Sequence, residues 1–364
     1  MGRATLAILS TENLLHNLNI IKQQAPSSKI IAMVKANAYG HGLRSVALRL
    51  QEHVYSFGVA SIDEALALRK AGVKTSITLM EGVFEPNELL IASCEGFQVV
   101  FHTMEQFDWL QDLAYLPVPI QAWLKVDTGM NRLGFSMSDA WTYRRLILSN
   151  SKVIQPLGCM SHLACADEID HPLNQVQINN FLKLGEVYQG LKSLCNSAAI
   201  FSLPKYHYDV VRPGISLYGV SPFVNRSAQE LGLKPVMTLQ TRLIAVRVVN
   251  SGSTIGYGAR YVCSGGSRLI GVIAVGYGDG YPRSARDGTP VLVNGQRCQI
   301  VGRVSMDMIT IDLTACSEAK VGDQVILWGE GLPLEEVARH TDCIPYEMLT
   351  AVQSRVKFYW TGAK

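Results

Sequence analysis

The sequence lacks the features that mark several classes of protein. It contains no apolar run near the roughly 18 residues that a membrane-spanning helix needs, so we predict no membrane segment. The net charge is only +3 at pH 7, which gives no electrostatic basis for binding nucleic acid or an anionic membrane surface. No tract rich in proline, glycine or serine separates its parts, and we therefore expect closely packed domains.

The eight cysteines are scattered and form no Cys-x-x-Cys pair, which argues against a zinc site and against thioredoxin-like redox chemistry. We expect no metal, and the cysteine usage suits a reducing cytoplasm. The first residues lack the long apolar core and the cleavage pattern of a signal peptide. Leu6 stands where a myristoylation motif carries Ser or Thr, so we expect a cytoplasmic protein without a lipid anchor.

Strand and helix patterns alternate over the first 230 residues. An initial helix, Thr11 to Gln24, is followed by eight predicted strands near Lys29–Val34, Ser56–Ala60, Ser76–Met80, Phe97–Val100, Ile120–Val126, Val153–Met160, Leu191–Cys195 and Asp209–Arg212. Helical patterns separate them, for example from Ile62 to Ala71, from Pro86 onward and within Leu173–Leu194. Eight such units predict a parallel (β/α)₈ barrel of the TIM type over residues 1–230, with an open doubly wound sheet as the alternative.

Strand patterns dominate after residue 230. Thr238–Val249 is rich in β-branched residues, and Asn294-Gly295 is a strong hairpin signal between Pro290–Val293 and Gln296–Ile300. Further predicted elements are the strands Ile309–Leu313 and Gln324–Trp328 and a short helix in Leu334–His340. We therefore predict a mainly β domain over residues 231–364.

A lysine follows the first predicted barrel strand. The apolar run Ile30–Val34 is typical of a buried strand, and it ends at Lys35, with Gly40 and Gly42 shortly after. A lysine at the mouth of a buried strand loses hydration, which favours the neutral amine and makes it a candidate Schiff-base former. A lone lysine at a strand end is more often simply extended toward solvent, but here Tyr39 and further polar segments accompany it.

Polar residues also follow the later strands of the predicted barrel. They are Lys125, Asp127 and Arg132 after the fifth strand, His162 after the sixth, Asn196 and Ser197 after the seventh, and Arg212, Gly214 and Ile215 after the eighth. Singly, each is compatible with a structural role such as an ion pair or a satisfied core histidine. However, the loops after strands seven and eight of such barrels commonly bind phosphate. A Schiff-base lysine opposite a phosphate site suggests pyridoxal 5′-phosphate.

Three further segments lie in the predicted β domain. They are Ile255–Ala259 around Tyr257, Gly276–Tyr281 with Tyr277 and Tyr281, and Val301–Asp307 with Arg303 and Met306. The glycines of Gly276–Gly280 do not open a helix after a strand, so we reject a dinucleotide-binding motif. Taken one at a time, these segments are equally compatible with β-turns or bulges.

Together the segments resemble the alanine racemases, enzymes of fold type III that use pyridoxal phosphate. The resemblance runs in order from Ala32 to the C-terminal domain, and it is carried by Ala32–Gly42, Lys125–Gly134, Arg212–Gly219, Gly276–Gly280 and Arg303–Asp307. It implies a homodimer that interconverts L- and D-alanine through a pyridoxal-phosphate aldimine, for cell-wall synthesis or alanine catabolism.

The resemblance also implies roles for individual residues. Lys35 and Tyr257 of the other subunit would be the two catalytic bases, Arg132 and Met306 would bind substrate, and Lys125 matches a position often carbamylated in the family. The cofactor would be held by Lys35, Tyr39, His162, Asn196, Ser197, Arg212, Gly214 and Ile215. The access channel would be lined by Tyr277, Tyr281, Arg303 and Asp307.

One position departs from the family pattern. Some members carry a phosphate-binding tyrosine just before an Arg-Val pair, whereas this chain has Ser354 before Arg355-Val356, and Tyr346 lies eight residues earlier. Other activities stay open from the sequence: a racemase of serine or of a broader set of amino acids, a pyridoxal-phosphate carrier protein, or a barrel decarboxylase. The last two fit less well, because carriers lack the β domain and the decarboxylases carry a cysteine motif that we do not recognise here.

Overall fold

The computed structural model describes residues 3–185 and 189–362. They form two compact units, one made of Leu18–Leu217 and one made of Met1–Asn17 together with Tyr218–Lys364. The grouping of the first 17 residues with the C-terminal part was not predicted. The assignment of residues 1–230 and 231–364 to a cofactor-binding and a partner-completing domain stays a prediction.

The strands and helices of the described residues follow in chain order. The strands are β1 (Leu6–Ser10), β2 (Lys29–Met33), β3 (Ser56–Val59), β4 (Ser76–Leu79), β5 (Gln98–Phe101), β6 (Ile120–Lys125), β7 (Val153–Met160), β8 (Lys192–Ser193), β9 (Val210–Val211), β10 (Met237–Val249), β11 (Thr254–Ile255), β12 (Tyr261–Val262), β13 (Arg268–Ile273), β14 (Pro290–Val293), β15 (Gln296–Ile300), β16 (Ile309–Asp312), β17 (Gln324–Trp328) and β18 (Lys357–Thr361). The helices are α1 (Thr11–Gln24), α2 (Lys35–Tyr39), α3 (Leu43–Leu50), α4 (Ile62–Lys70), α5 (Pro86–Glu95), α6 (Met104–Asp112), α7 (Asp139–Leu148), α8 (Pro172–Gly185), α9 (Ser197–Ser202), α10 (Leu334–Ala338) and α11 (Pro345–Thr350).

The first unit is a parallel barrel. Strands β2 to β8 pair in chain order, and β9 pairs with β2 in the register Lys29↔Val210. The last gap is bridged where the Arg212 amide donates to the Cys195 carbonyl at 2.9 Å. The prediction of a (β/α)₈ barrel is therefore confirmed, and the alternative of an open sheet is wrong.

The barrel interior is packed with side chains that alternate large and small. Its buried cluster consists of Ile31, Met33, Met80, Val100, Trp123, Met160 and Val210. Gly158 makes room for Trp123, because a Cβ atom at residue 158 would lie 2.5 Å from the indole ring. Such filling leaves the carboxyl ends of the strands as the place for a site.

The second unit is built on an antiparallel sheet. In it β10, β13, β16, β15, β14 and β17 pair in a closed ring, and β10 also pairs with β1, which carries β18 on its other edge. The predicted hairpin at Asn294-Gly295 joins β14 and β15. The mainly β character of the C-terminal part is confirmed. Among residues 3–185 and 189–362, no helix is both long and apolar enough to cross a bilayer.

Candidate active site

Lys35 begins a turn of unusual backbone conformation directly after β2. The next four residues, Ala36 to Tyr39, all have positive φ, between 51° and 55°, although none is glycine. The Lys35 side chain is 39% exposed, and its Nζ lies 3.8 Å from Oε1 of Glu81, which follows β4. Within one chain the Lys35 side chain is therefore partly exposed and faces a carboxylate, and its role as a Schiff-base former stays a prediction.

Lys125 is the buried lysine of the barrel mouth. It ends β6, and its pKa is lowered to about 8, first by burial and then by the charges of Arg212 and Arg132, while Glu81 acts in the opposite direction. At pH 7 a lysine with this pKa is neutral in roughly a tenth of the molecules. Burial and neighbouring positive charge thus disfavour the ammonium form of Lys125.

Arg212 is buried directly after β9. Its guanidinium donates to the carbonyls of Ser161 and Leu194, and Nδ1 of His162 lies 3.3 Å away. Burial lowers the pKa of Arg212 to about 10. The pKa of His162 is lowered well below its usual value, by burial first and then by Arg212, so the imidazole is neutral beside a guanidinium.

Four predicted residues of the barrel meet at one small cup. Ser197 Oγ accepts hydrogen bonds from the amides of Gly214 and Ser216, at 2.8 and 3.4 Å. A Cβ atom on Gly214 would lie 2.3 Å from Oη of Tyr39, so only glycine fits there. Ile215 is fully buried beside Gly214. Burial raises the pKa of Tyr39 to about 12, which keeps its phenol a neutral donor.

The remaining predicted barrel residues lie around this cup and the cationic groups. Asn196 caps α9, since its side chain accepts from the Ala199 amide at 3.1 Å. Arg132 shares a narrow crevice with Lys125 and His162. Asp127, in the same crevice, does not form an ion pair with Arg132 but accepts three amides of its own loop, from Gly129, Met130 and Asn131.

Most predicted residues of the second unit are exposed, and Tyr281 is the exception. Tyr257 is 72% exposed between two glycines of positive φ, and Met306 is 52% exposed. Tyr257 and Arg303 line a concavity of about 610 Å³ together with Ile244, Ala245, Arg247, Val249, Thr254, Ile255, Gly256, Ile270, Val272, Ser305, Met308, Ile309 and Thr310. Within one chain, these side chains therefore have little protein around them.

Two loops of the second unit are joined beneath these exposed residues. The Tyr277 and Gly278 amides donate to the carbonyls of Ser305 and Met306, at 3.0 and 2.9 Å. The carboxylate of Asp279, 2% exposed, pairs with Arg3 and Arg355, and Arg355 also reaches Asp307. This ion-pair network holds the loop of Tyr277 against the loop of Met306.

Tyr281 lies inside the second unit. It is 1% exposed and stacks on Trp328, with ring centroids 5.7 Å apart. Tyr277, by contrast, is partly exposed. Ser354, at the position of the family tyrosine, is exposed, and Tyr346 belongs to α11. A role for Tyr281 in an access channel stays a prediction.

The amino-acid sequence matches two family models in the order of the two units. Residues 9–222 match the N-terminal domain of alanine racemase, and residues 236–360 match its C-terminal domain. The chain belongs to the alanine racemase family. This confirms the predicted resemblance and, with it, the class of enzyme, an amino-acid racemase.

Relatives in this family cover nearly the whole chain. The chain is 48% identical to the alanine racemase of Vibrio cholerae over 361 residues, which is 99% of each protein. It is 48% identical over 351 residues to that of Haemophilus influenzae, 96% of each. The solved structure of the biosynthetic alanine racemase from Pseudomonas aeruginosa superposes with a TM-score of 0.96 at 42% identity, over 99% of this chain and 100% of that one.

Several residues at the site of this family member were not predicted. Glu81 faces Lys35, Glu64 accepts the Ala36 amide, and Asp279 anchors the loop of Tyr277. Each contacts a distant part of the chain, so no local sequence pattern indicates its role. The described residues contain no group of three or more histidine, cysteine, aspartate or glutamate side chains placed to hold a metal ion.

Proposed function

We propose that this chain interconverts L- and D-alanine, with pyridoxal 5′-phosphate as its cofactor. The chain belongs to the alanine racemase family, and the main structural support for the proposal is the set of cationic side chains at its barrel mouth. Lys35, Lys125, Arg132 and Arg212 all act electrostatically on the neutral His162. Such a concentration of positive charge suits a ligand with several anionic groups.

The residues of the barrel mouth fit this cofactor. Its phosphate group suits the cup of Tyr39, Ser197 and Gly214, where a phenol that stays protonated, a hydroxyl and a backbone amide lie close together. The close approach of Gly214 to Tyr39 leaves no room for a side chain at residue 214. Asn196, His162 and Ile215 support this region, and Lys35 supplies the amine for covalent attachment.

The chemistry of racemisation requires proton transfer on both faces of the substrate. Bound pyridoxal phosphate supplies an electron sink that acidifies the α-proton of an attached amino acid. Lys35 would remove or return this proton on one face, and Tyr257 of the partner subunit would do so on the other. Arg132 and the Met306 amide would hold the substrate carboxylate.

Arg212 would face the pyridine nitrogen. Its pKa, about 10, keeps the guanidinium charged at neutral pH, so it donates a hydrogen bond without releasing a proton. Arg212 would therefore leave the ring nitrogen of a bound cofactor unprotonated, which would make it a weaker electron sink. We infer that this restrains side reactions such as transamination at some cost in acidity of the α-proton.

Lys125 suits a carbamate. The lowered pKa provides the neutral amine that attacks carbon dioxide, forming an N–C bond and releasing one proton. The product is an anion, and Arg132 and Arg212, whose charges disfavour the ammonium, would stabilise it. Such a carbamate would orient Arg132, as the family resemblance implies.

The exposed face of the second unit suits a second copy of this chain. The face around Tyr257 and Met306 presents exposed apolar side chains, among them Ile244 and Met308. A two-fold dimer would cover this face on both chains at once and complete two equal sites. All eight cysteines are free, consistent with the cytoplasm that we propose for this activity.

The direct test is production of D-alanine from L-alanine by the purified chain. With added pyridoxal phosphate, we expect D-alanine to accumulate until the two enantiomers are equal, as measured with an enantiomer-specific oxidase. L-serine, assayed in parallel, tests the alternative of a broader racemase. No D-alanine at saturating cofactor would contradict the proposal.

A further inference from the structure

The turn after Lys35 is held in a conformation that ordinary residues avoid. Four consecutive residues, Ala36 to Tyr39, have the left-handed backbone conformation. Amino acids other than glycine adopt this conformation as single residues and rarely in a row. Strained backbone of this kind persists only where its surroundings determine it. The two ends of the turn carry Lys35 and Tyr39, which are proposed to hold the two ends of one cofactor molecule.

Two amides of the turn donate to carbonyl groups nearby in the chain. The Ala38 amide donates to the Val34 carbonyl at 2.7 Å, and the Gly40 amide donates to the Ala36 carbonyl at 3.1 Å. The Ala36 amide, which belongs to the peptide joined to Lys35, donates instead to Oε1 of Glu64 at 2.8 Å. Glu64 therefore holds the first peptide of the turn from outside.

Glu64 also caps its own helix. Oε2 accepts the Ala60 amide at 2.9 Å, just before α4 begins. The same contact recurs in the next two helices, where Glu88 accepts the Phe84 amide at 2.7 Å and Gln106 accepts the His102 amide at 3.0 Å. One oxygen is thus enough for this cap, and an amide side chain can provide it.

In Gln106 and Glu64, the terminal atom that is not used in the cap contacts the neighbouring loop. Gln106 turns its Nε2 toward the Val83 carbonyl, at 3.0 Å, in the loop after the preceding strand. Glu64 faces the corresponding loop after β2, but that loop presents the N–H group of Ala36. A carboxylate has two acceptor oxygens, whereas an amide has one acceptor and one donor group. The site of Glu64 therefore requires a carboxylate.

We propose that Glu64 is a positioning residue for Lys35 and Tyr39. By accepting the Ala36 amide, it fixes the left-handed turn and so the spacing between the lysine amine and the tyrosine hydroxyl. This inference rests on the proposed function, in which these two groups hold pyridoxal phosphate at its aldehyde and at its phosphate.

The discriminating variant is Glu64→Gln. The glutamine keeps the cap on the Ala60 amide, as Gln106 does in α6, but it turns an NH₂ group toward the Ala36 amide. Because a hydrogen bond to a charged group is lost, we expect hydrogen exchange of the Ala36 amide to quicken by about tenfold or more. The Ala60 amide should keep its wild-type protection.

The functional readout is the ratio of affinities for pyridoxal phosphate and pyridoxal. Both aldehydes react with the lysine, but only the first has a phosphate for Tyr39 to hold. A loosened turn uncouples the two ends, and we expect the ratio to fall by about tenfold in Glu64→Gln. A general loss of stability would weaken the binding of both aldehydes alike and leave the ratio of affinities unchanged.

Two control variants complete the test. Glu88→Gln makes the same substitution in the cap of α5 and should leave the ratio at its wild-type value. Ser61→Ala weakens the cap of α4 itself, where Ser61 Oγ accepts the Glu64 amide at 3.5 Å, without removing the acceptor of Ala36. A Glu64→Gln ratio equal to that of wild type overturns the inference. If wild-type chain binds neither aldehyde, the proposed function fails as well.

Discussion

The barrel mouth and the exposed loops of the second unit differ in how their side chains are supported. Arg212 and Lys125 are buried, and Arg212 is held by several hydrogen bonds from the barrel. Tyr257 and Met306 protrude into solvent, although the loop of Met306 is anchored from beneath. In the homodimer that we propose, one chain would preorganise the cofactor half of a site, and a second chain would supply Tyr257 and Met306.

The largest effect is expected from Lys35→Ala. The variant loses both the covalent anchor and one base, so racemisation should fall by at least about 10⁴-fold in either direction. The absorbance of covalently bound pyridoxal phosphate, measured by titration, should vanish. Lys70→Ala, at an exposed position on α4, is the matched control and should behave as wild type. A fully active Lys35→Ala protein would eliminate the assignment.

The next largest effect is expected from Tyr257→Phe. Loss of a general base should slow proton abstraction from L-alanine by roughly 10²- to 10⁴-fold, and abstraction from D-alanine less. Exchange of the α-hydrogen in deuterated buffer measures each enantiomer separately. Cofactor binding should be unchanged, because the barrel holds it. Tyr359→Phe, at an exposed tyrosine of β18, controls for loss of a hydroxyl. Equal losses for both enantiomers would argue against a base on one face.

Asp279→Asn tests how the exposed loops are held. The buried carboxylate lies between Arg3 and Arg355, and its neutralisation should lower the free energy of unfolding by about 1–3 kcal/mol. Asp342→Asn breaks the exposed pair with Arg286 and should cost less than about 1 kcal/mol. Urea denaturation of both variants measures the difference. Equal losses would show that the network does not stabilise these loops.

The remaining prediction concerns Lys125, whose effect appears only when the pH is raised. The pKa of its amine is about 8 in the folded chain, against 10.5 for a fully hydrated lysine, the value expected after unfolding. Between these values the unfolded state binds more protons, so folding stability should rise with pH, by on the order of 2–3 kcal/mol. Below about pH 8 both states are protonated and this gain is absent.

Lys125→Met isolates that contribution. Urea denaturation at pH 7.5 and at pH 9.5, in buffer free of carbon dioxide, should show the rise in wild type and a smaller rise in the variant. Bicarbonate labelled with ¹³C then reports on the carbamate, whose signal should appear in wild type only. A variant that gains as much stability as wild type would show that the amine is not the titrating group.

Much of the fold follows from the sequence because its buried strands are continuous apolar runs. β6, β7 and the hairpin of β14 and β15 were predicted within a residue of their bounds. β1 and β18 were not predicted, since they are short and pair with each other from opposite ends of the chain. Their pairing depends on tertiary contacts that no local pattern encodes.

The candidate residues of the site were predictable from the sequence, but the residues and backbone turn that hold them in place were not. The sequence singles out Lys35 and Arg212 because polar segments follow several strands of the same predicted barrel. It does not reveal the left-handed turn, since Ala36 and Ala38 carry none of the glycine signal that marks positive φ. Nor does it reveal Glu64 or Glu81, whose partners lie 28 and 46 residues away along the chain.

Lys35 and Tyr257 are proposed to act on one substrate from different chains, and complementation between two inactive variants distinguishes this arrangement from a site within one chain. Co-expressed Lys35→Ala and Tyr257→Phe chains should form mixed dimers in which one of the two sites carries neither lesion. Random pairing makes about half of the dimers mixed, so roughly one quarter of wild-type activity should return. Verified mixed dimers with no more activity than the parent variants would contradict the shared site.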